Sequence, residues 1–135
     1  MPLEVSITSN LLFIERSLLT RQKPKTLLDV GCATGRMIKY LRMLGVDARG
    51  IELSDYALLR AMQSAKPFIQ KGDILSIPHK DQAFDVVCSF NVLEHVEEGN
   101  LSKALEECNR VAKKFTLHKV FTMENKWIHW HRGQD

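Results

Sequence analysis

The feature that most constrains this chain is a mostly apolar run, Thr26-Leu27-Leu28-Asp29-Val30, that meets Gly31 and then Gly35 just before a helical pattern begins. Such a run, bounded by Pro24 on one side and Gly31 on the other, reads as a strand buried on both faces, as in a parallel sheet. Glycines at the turn let backbone approach a ligand closely, and the helix that follows leaves unpaired N–H groups facing it. A strand that turns straight into a helix implies βαβ units on either side.

The rest of the chain keeps that alternation. Leu11, Leu12, Ile14, Leu18 and Leu19 give residues 8–20 the spacing of an amphipathic helix, with Ser6, Thr8 or Ser9 as cap and Pro24 beyond its end. Met37, Ile38, Leu41 and Leu44 form the inner stripe of the helix after the glycine turn, and Gly45 stands where a left-handed terminating residue is wanted. A strand from Ala48 to Leu53 follows. Ser54 then caps a helix with Leu58, Ala61 and Met62 on one face, closed by Pro67. A short strand near Phe68-Ile69-Gln70 leads to Gly72-Asp73, and Phe84 to Ser89 is the next strong strand; the connection between them is too short and polar for a helix. Gly99-Asn100 opens a helix with Leu101, Leu105, Cys108 and Val111 or Ala112 at core spacing, and Phe115 to Met123 is the last strand. The fold class is therefore α/β, a Rossmann-like doubly wound and mainly parallel sheet of about five strands ordered 3-2-1-4-5, with helices on both faces. One domain over 1–135 is expected, made of an N-terminal helix (1–25), a core (26–123) and a tail (124–135).

Composition narrows the function classes. With 44% hydrophobic and 26% charged residues in 135, the chain has the make-up of one globular domain. It shows no uninterrupted apolar stretch of about 18 residues and no secretory pattern at its start, so a cytoplasmic protein without a membrane span is expected. Cys32, Cys88 and Cys108 form no CxxC pair and read as reduced core thiols. A net charge of +3 with scattered Lys and Arg gives no footprint for nucleic acid.

Glu52 ends the second strand 21 residues after Gly31, where an acid can accept hydrogen bonds from both hydroxyls of a ribose. Each acid also has a plainer reading. Asp29 could cap the turn, Glu52 could be a helix-start acid, and Asp73 beside Gly72 could be an ordinary turn residue. Taken together, LLDVGCATGR, GIELSD, GDILSIP and FDVVCSFNVLEHV resemble the successive motifs of class I S-adenosylmethionine-dependent methyltransferases of the "type 11" methyltransferase-domain kind, over about Thr26 to Val111.

That resemblance implies S-adenosylmethionine as cofactor and S-adenosylhomocysteine as product. By it, Asp29 orients the amino-acid end of the cofactor, while Gly31, Cys32, Ala33 and Gly35 form the turn packed against that end. Glu52 holds the ribose with Leu53 beside it, Asp73 accepts from the adenine amino group, and Ile74 lies against the ring. Asn91 lines the cofactor and the methyl-transfer cleft. Ala33 stands where the family commonly has glycine. Ubiquinone-type members have a further glutamate where this chain has Asn91, so Glu94 and His95 read as a helix-start acid and a packed or solvated histidine, and no metal is expected. No catalytic base is assigned. The cluster Lys126 to Arg132, with Trp127, His129, Trp130 and His131, reads first as cleft wall, second as a substrate contact and last as a metal or nucleic-acid contact.

The implied function is methyl transfer to a small-molecule acceptor. Two alternatives stand beside it: a catalytically incomplete cofactor-binding subunit or fragment that needs a partner, and an NAD-dependent oxidoreductase. Against the second, GCATG lacks the GxGxxG spacing of a dinucleotide turn. Family members continue past the fifth strand with a helix and a hairpin, for which residues 124–135 leave no room, so the C-terminal strands are expected to be missing. The edge at 115–123 should then form a homodimer, take a partner's strand, or be covered by Trp127 to His131.

Overall fold

The computed structural model describes residues 23–120 and the backbone of 127–131; the helix expected over 8–20 lies outside them. In chain order the elements are β1 (Thr26–Val30), α1 (Arg36–Met43), β2 (Asp47–Glu52), α2 (Asp55–Leu59), β3 (Ile69–Lys71), β4 (Phe84–Phe90), α3 (Leu101–Val111), β5 (Ala112–Lys119) and β6 (Trp127–His131). They build one sheet of order β3-β2-β1-β4-β5-β6. The first five strands pair in parallel and reproduce the expected 3-2-1-4-5 order. Among the described residues no helix is long and apolar enough to cross a membrane.

The sheet separates two apolar layers. Side chains alternate along a strand, so Leu27 and Leu28 are both fully buried yet join opposite layers. Leu27, Ala48, Val86 and Leu117 pack with Met37, Ile38 and Leu41 of α1. Leu28, Val30, Ile51 and Val87 pack with Ala104, Cys108 and Val111 of α3. These helical positions recur every three or four residues, the spacing that puts one stripe against the sheet. With both faces covered, the central strands are apolar throughout instead of alternating.

Three expectations need correction. Residues remain for a strand beside β5: the tail contributes β6, which pairs antiparallel with β5 from Phe115 opposite His131 to Lys119 opposite Trp127. The row of backbone donors and acceptors along β5 is thereby matched, and Trp and Ile, three of the segment's five residues, are types that suit a strand. Of the three fates expected for the 115–123 edge, the tail folding back is the one the structure shows. The helix after Ser54 ends at Leu59 and buries none of its residues, although Ser54 Oγ does accept the Ala57 N–H as a cap at 3.2 Å. Met62, expected on that helix, donates its N–H to the Thr34 carbonyl instead, at 2.9 Å, and Pro67 falls in a separate 3-10 turn over Lys66–Phe68. Finally, β5 starts at Ala112, directly after α3 with no intervening loop, and ends at Lys119. His118, expected as mild protection at an exposed edge, is 1% exposed, with Nδ1 2.6 Å from Ser89 Oγ.

Candidate cofactor site

In a doubly wound sheet the ligand crevice opens beyond the carboxyl ends of the strands, where the chain order reverses. Here the reversal falls at β1, flanked by β2 and β4, and a cleft of about 590 Å³ opens there. Four segments line it: the glycine turn after β1, the end of β2, the loop after β3, and the turns after β4.

The glycine turn is fixed from below and from the side. The N–H groups of Gly31 and Cys32 both donate to the Ile51 carbonyl, at 2.9 and 3.1 Å. Gly31 has φ 77°, and a Cβ there would lie 2.5 Å from Val92 Cγ2. Gly35 has φ 88°, and its Cβ would lie 2.6 Å from Ala65 Cβ. Conformation and contact therefore both require glycine at these two positions. Ala33 adopts φ 52°, a left-handed conformation that costs a residue with a Cβ about 1 kcal/mol or more. Its N–H is what gains, for it donates to Glu52 Oε1 at 2.8 Å.

Glu52 is accordingly no freely solvated acid. Oε1 holds the turn and Oε2 accepts the Ser54 N–H at 2.9 Å, so two backbone amides set the plane of the carboxylate. Each oxygen keeps a further lone pair for a ligand hydroxyl. Leu53 beside it lines the cleft with 57% of its surface exposed, a large apolar face left open. Asp73 makes the turn that the plainer reading anticipates, its Oδ1 accepting the Leu75 N–H at 3.0 Å and its carbonyl the Ser76 N–H at 3.0 Å. It also lines the cleft, next to Ile74.

Asn91 follows β4 at φ 58°, its N–H donating to the Lys119 carbonyl at 2.8 Å. Its Oδ1 is buried, lacks a hydrogen-bond partner among the described residues, and belongs to a side chain on the cleft wall. A buried carbonyl oxygen left unpaired costs about 1–3 kcal/mol, which a donor on a bound molecule would recover. This orphaned acceptor, the paired amides on Glu52 and the open face of Leu53 fit a polar nucleoside-bearing ligand.

Of the residues expected at the site, Gly31, Ala33, Glu52, Leu53, Asp73, Ile74 and Asn91 line the cleft, whereas Asp29, Cys32 and Gly35 do not. Asp29 is 3% exposed, and its carboxyl is pushed up to about 7, first by burial and then by the nearby Glu52 carboxylate. Burial and the Asp29 charge push the Cys32 thiol well up. The remaining wall, including Phe90, Val92, Val96, Glu97 and Asn100, was not anticipated, while His95 sits among these residues. Phe90 ends β4, and the others lie in or directly beside two 3-10 turns, Leu93–His95 and Glu98–Asn100, which carry no apolar period to read. The side chains of 127–131, expected as cleft wall, lie outside the described residues. Among the described residues, no group of three or more His, Cys, Asp or Glu is placed to hold a metal.

Comparison with known proteins decides the family, because the methyltransferase-domain family matches residues 28–115, more than half the chain and every segment that lines the cleft. The chain belongs to the class I S-adenosylmethionine-dependent methyltransferases. This methyltransferase domain is 33% identical over 99 residues to norajmaline N-methyltransferase of Rauvolfia serpentina, covering 67% of this chain and 33% of that one. It is 34% identical over 99 residues to malonyl-[acyl-carrier protein] O-methyltransferase of Salmonella typhimurium, covering 72% and 38%. A Pyrococcus horikoshii protein of solved structure shares the fold, with a TM-score of 0.75 at 22% identity over 87% of this chain and 56% of that one. The methyltransferase domain thus spans a third to two fifths of the length of these two curated relatives.

Proposed function

We propose that the cleft binds S-adenosylmethionine and that this chain transfers its methyl group to a small-molecule acceptor. The observation that carries the reading is Glu52, held by two backbone amides at the end of β2 so that its carboxylate faces a glycine turn that it also pins. On this reading Glu52 accepts from the ribose hydroxyls, Leu53 and Ile74 cover the adenine ring, and Asp73 accepts from its amino group. The turn from Gly31 to Gly35, backed by Asp29 and Cys32, surrounds the amino-acid end. Asn91 Oδ1 takes an N–H or O–H of the bound pair. When bound, the cofactor supplies an electrophilic methyl group and its own leaving group, so what the residues contribute is position and exclusion of water. A cleft of about 590 Å³ lies within the range of about 300–1,000 Å³ found for small-molecule sites.

Calorimetric titration with S-adenosylmethionine, S-adenosylhomocysteine and NAD tests this directly. The first two should bind and NAD should not. Glu52→Ala should weaken S-adenosylhomocysteine binding by about 1.5–3 kcal/mol, the scale of hydrogen bonds to a charged group, with the fold intact and a melting temperature lowered by the loss of the acceptor for the Ala33 and Ser54 amides. Binding of NAD in preference to S-adenosylhomocysteine would refute the assignment, and undiminished affinity of the Glu52→Ala protein would remove that residue from the site.

A further inference from the structure

Residues 72–83 cross from β3 to β4 with neither helix nor extended strand, yet they carry Asp73 and Ile74 into the cleft. One arginine of α3 holds them. Arg110 Nη2 donates to the Ile77 carbonyl at 2.9 Å. Its Nη1 donates to the His79 carbonyl at 2.9 Å and to the Asp81 carboxylate at 2.9 Å. Glu107, one helical turn earlier, aligns the guanidinium by accepting from Nε at 2.6 Å and from Nη2 at 3.2 Å. Glu107 Oε1 also accepts the Ile77 N–H at 3.0 Å, and Gln82 donates its N–H to the Arg110 carbonyl at 2.8 Å.

This arrangement is more than a surface ion pair. Glu107 is 7% exposed, and a carboxylate so buried persists when its oxygens are paired. A planar guanidinium can serve several acceptors at fixed angles, which a lysine ammonium cannot match. Ile77, held at both its N–H and its carbonyl, is 3% exposed and packs in the same apolar layer as Ile74. Fixing Ile77 therefore fixes where Ile74 and Asp73, three and four residues earlier, meet the cleft. Neither Arg110 nor Glu107 lines that cleft.

We propose that Arg110 and Glu107 are positioning residues for the cofactor, clamping the loop that presents Asp73 and Ile74 and so setting affinity and base preference at the adenine end without touching the ligand. The inference rests on the reading of the cleft as an S-adenosylmethionine site.

The test compares wild type with Arg110→Ala, Arg110→Lys and Glu107→Gln. Each is titrated with S-adenosylhomocysteine, its inosine counterpart and adenosine, while amide exchange is followed at Leu75, Ser76 and Ile77 with Val86 and Val87 as controls. Arg110→Ala should weaken S-adenosylhomocysteine and adenosine by the same factor, about tenfold, and narrow the preference for adenine over hypoxanthine. Exchange should accelerate at the three loop amides and stay slow in β4, with partial recovery in Arg110→Lys. If Arg110→Ala does not fold, Arg110→Lys and Glu107→Gln carry the comparison. Lower melting temperatures with the adenine preference and affinities of wild type would mean a structural prop only and overturn the inference. A wild-type protein that binds no S-adenosylhomocysteine would instead bring down the reading of the cleft, and the inference with it.

Discussion

An ionised carboxylate at Asp29 would be 3% exposed and within electrostatic reach of Glu52, which is why its proton is held up to about pH 7. In the unfolded chain the same group titrates near 3.8. Between those values the folded state binds the extra proton, so this residue's contribution to stability is full at low pH, declines as pH rises toward about 7, and is flat above. Asn at 29 matches the neutral acid in shape. Melting temperatures of Asp29→Asn and wild type should therefore coincide near about pH 4 and separate with rising pH, the variant being the more stable at about pH 8. Parallel curves would show that the carboxyl is ionised throughout. At this scale the sequence was informative where backbone conformation leaves a mark. Gly31 and Gly35 announce a turn that only glycine can make, and Glu52 is legible because its distance from that turn is a property of one βαβ unit. Arg110 was not legible. Its acceptors His79 and Ile77 are backbone carbonyls 31 and 33 positions away, and beside Glu107 it reads as an ordinary i, i+3 surface pair.

Elements were readable where burial imposes a period and unreadable where a single distant bond sets a boundary. The fully apolar runs of β1 and β4 and the stripes of α1 and α3 all follow from facing a sheet covered on both sides. The end of α2 does not, because it is set by the Met62 N–H turning to Thr34, a residue of the glycine turn. β6 is one of three ways to close that edge, and five residues of mixed character do not choose among them. Its role can be isolated by ending the chain at Lys126. That removes all five registered pairs with β5 and exposes a row of backbone donors and acceptors. Relative to the full chain, the shortened protein should sediment with a larger apparent mass and melt at a lower temperature. An unchanged mass and melting temperature would show that β6 is dispensable to the sheet.

Viewed as a whole, the domain is a single sheet shared by two apolar layers, and each layer contains a cysteine with 0% exposure. Cys88 lies in the layer beneath α1 and Cys108 in the layer beneath α3. Burial pushes the Cys108 thiol up to about 12 and the Cys88 thiol well above its ordinary value, so neither offers a thiolate to an electrophile while the protein is folded. The two sulfurs are therefore silent reporters, one on each side of the same strands, that alkylate only after their own layer has opened. Because β1 and β4 feed both layers, brief pulses of iodoacetamide in mild denaturant should label Cys88 and Cys108 at equal rates. Unequal rates would mean that one helical layer peels away while the other still grips the sheet.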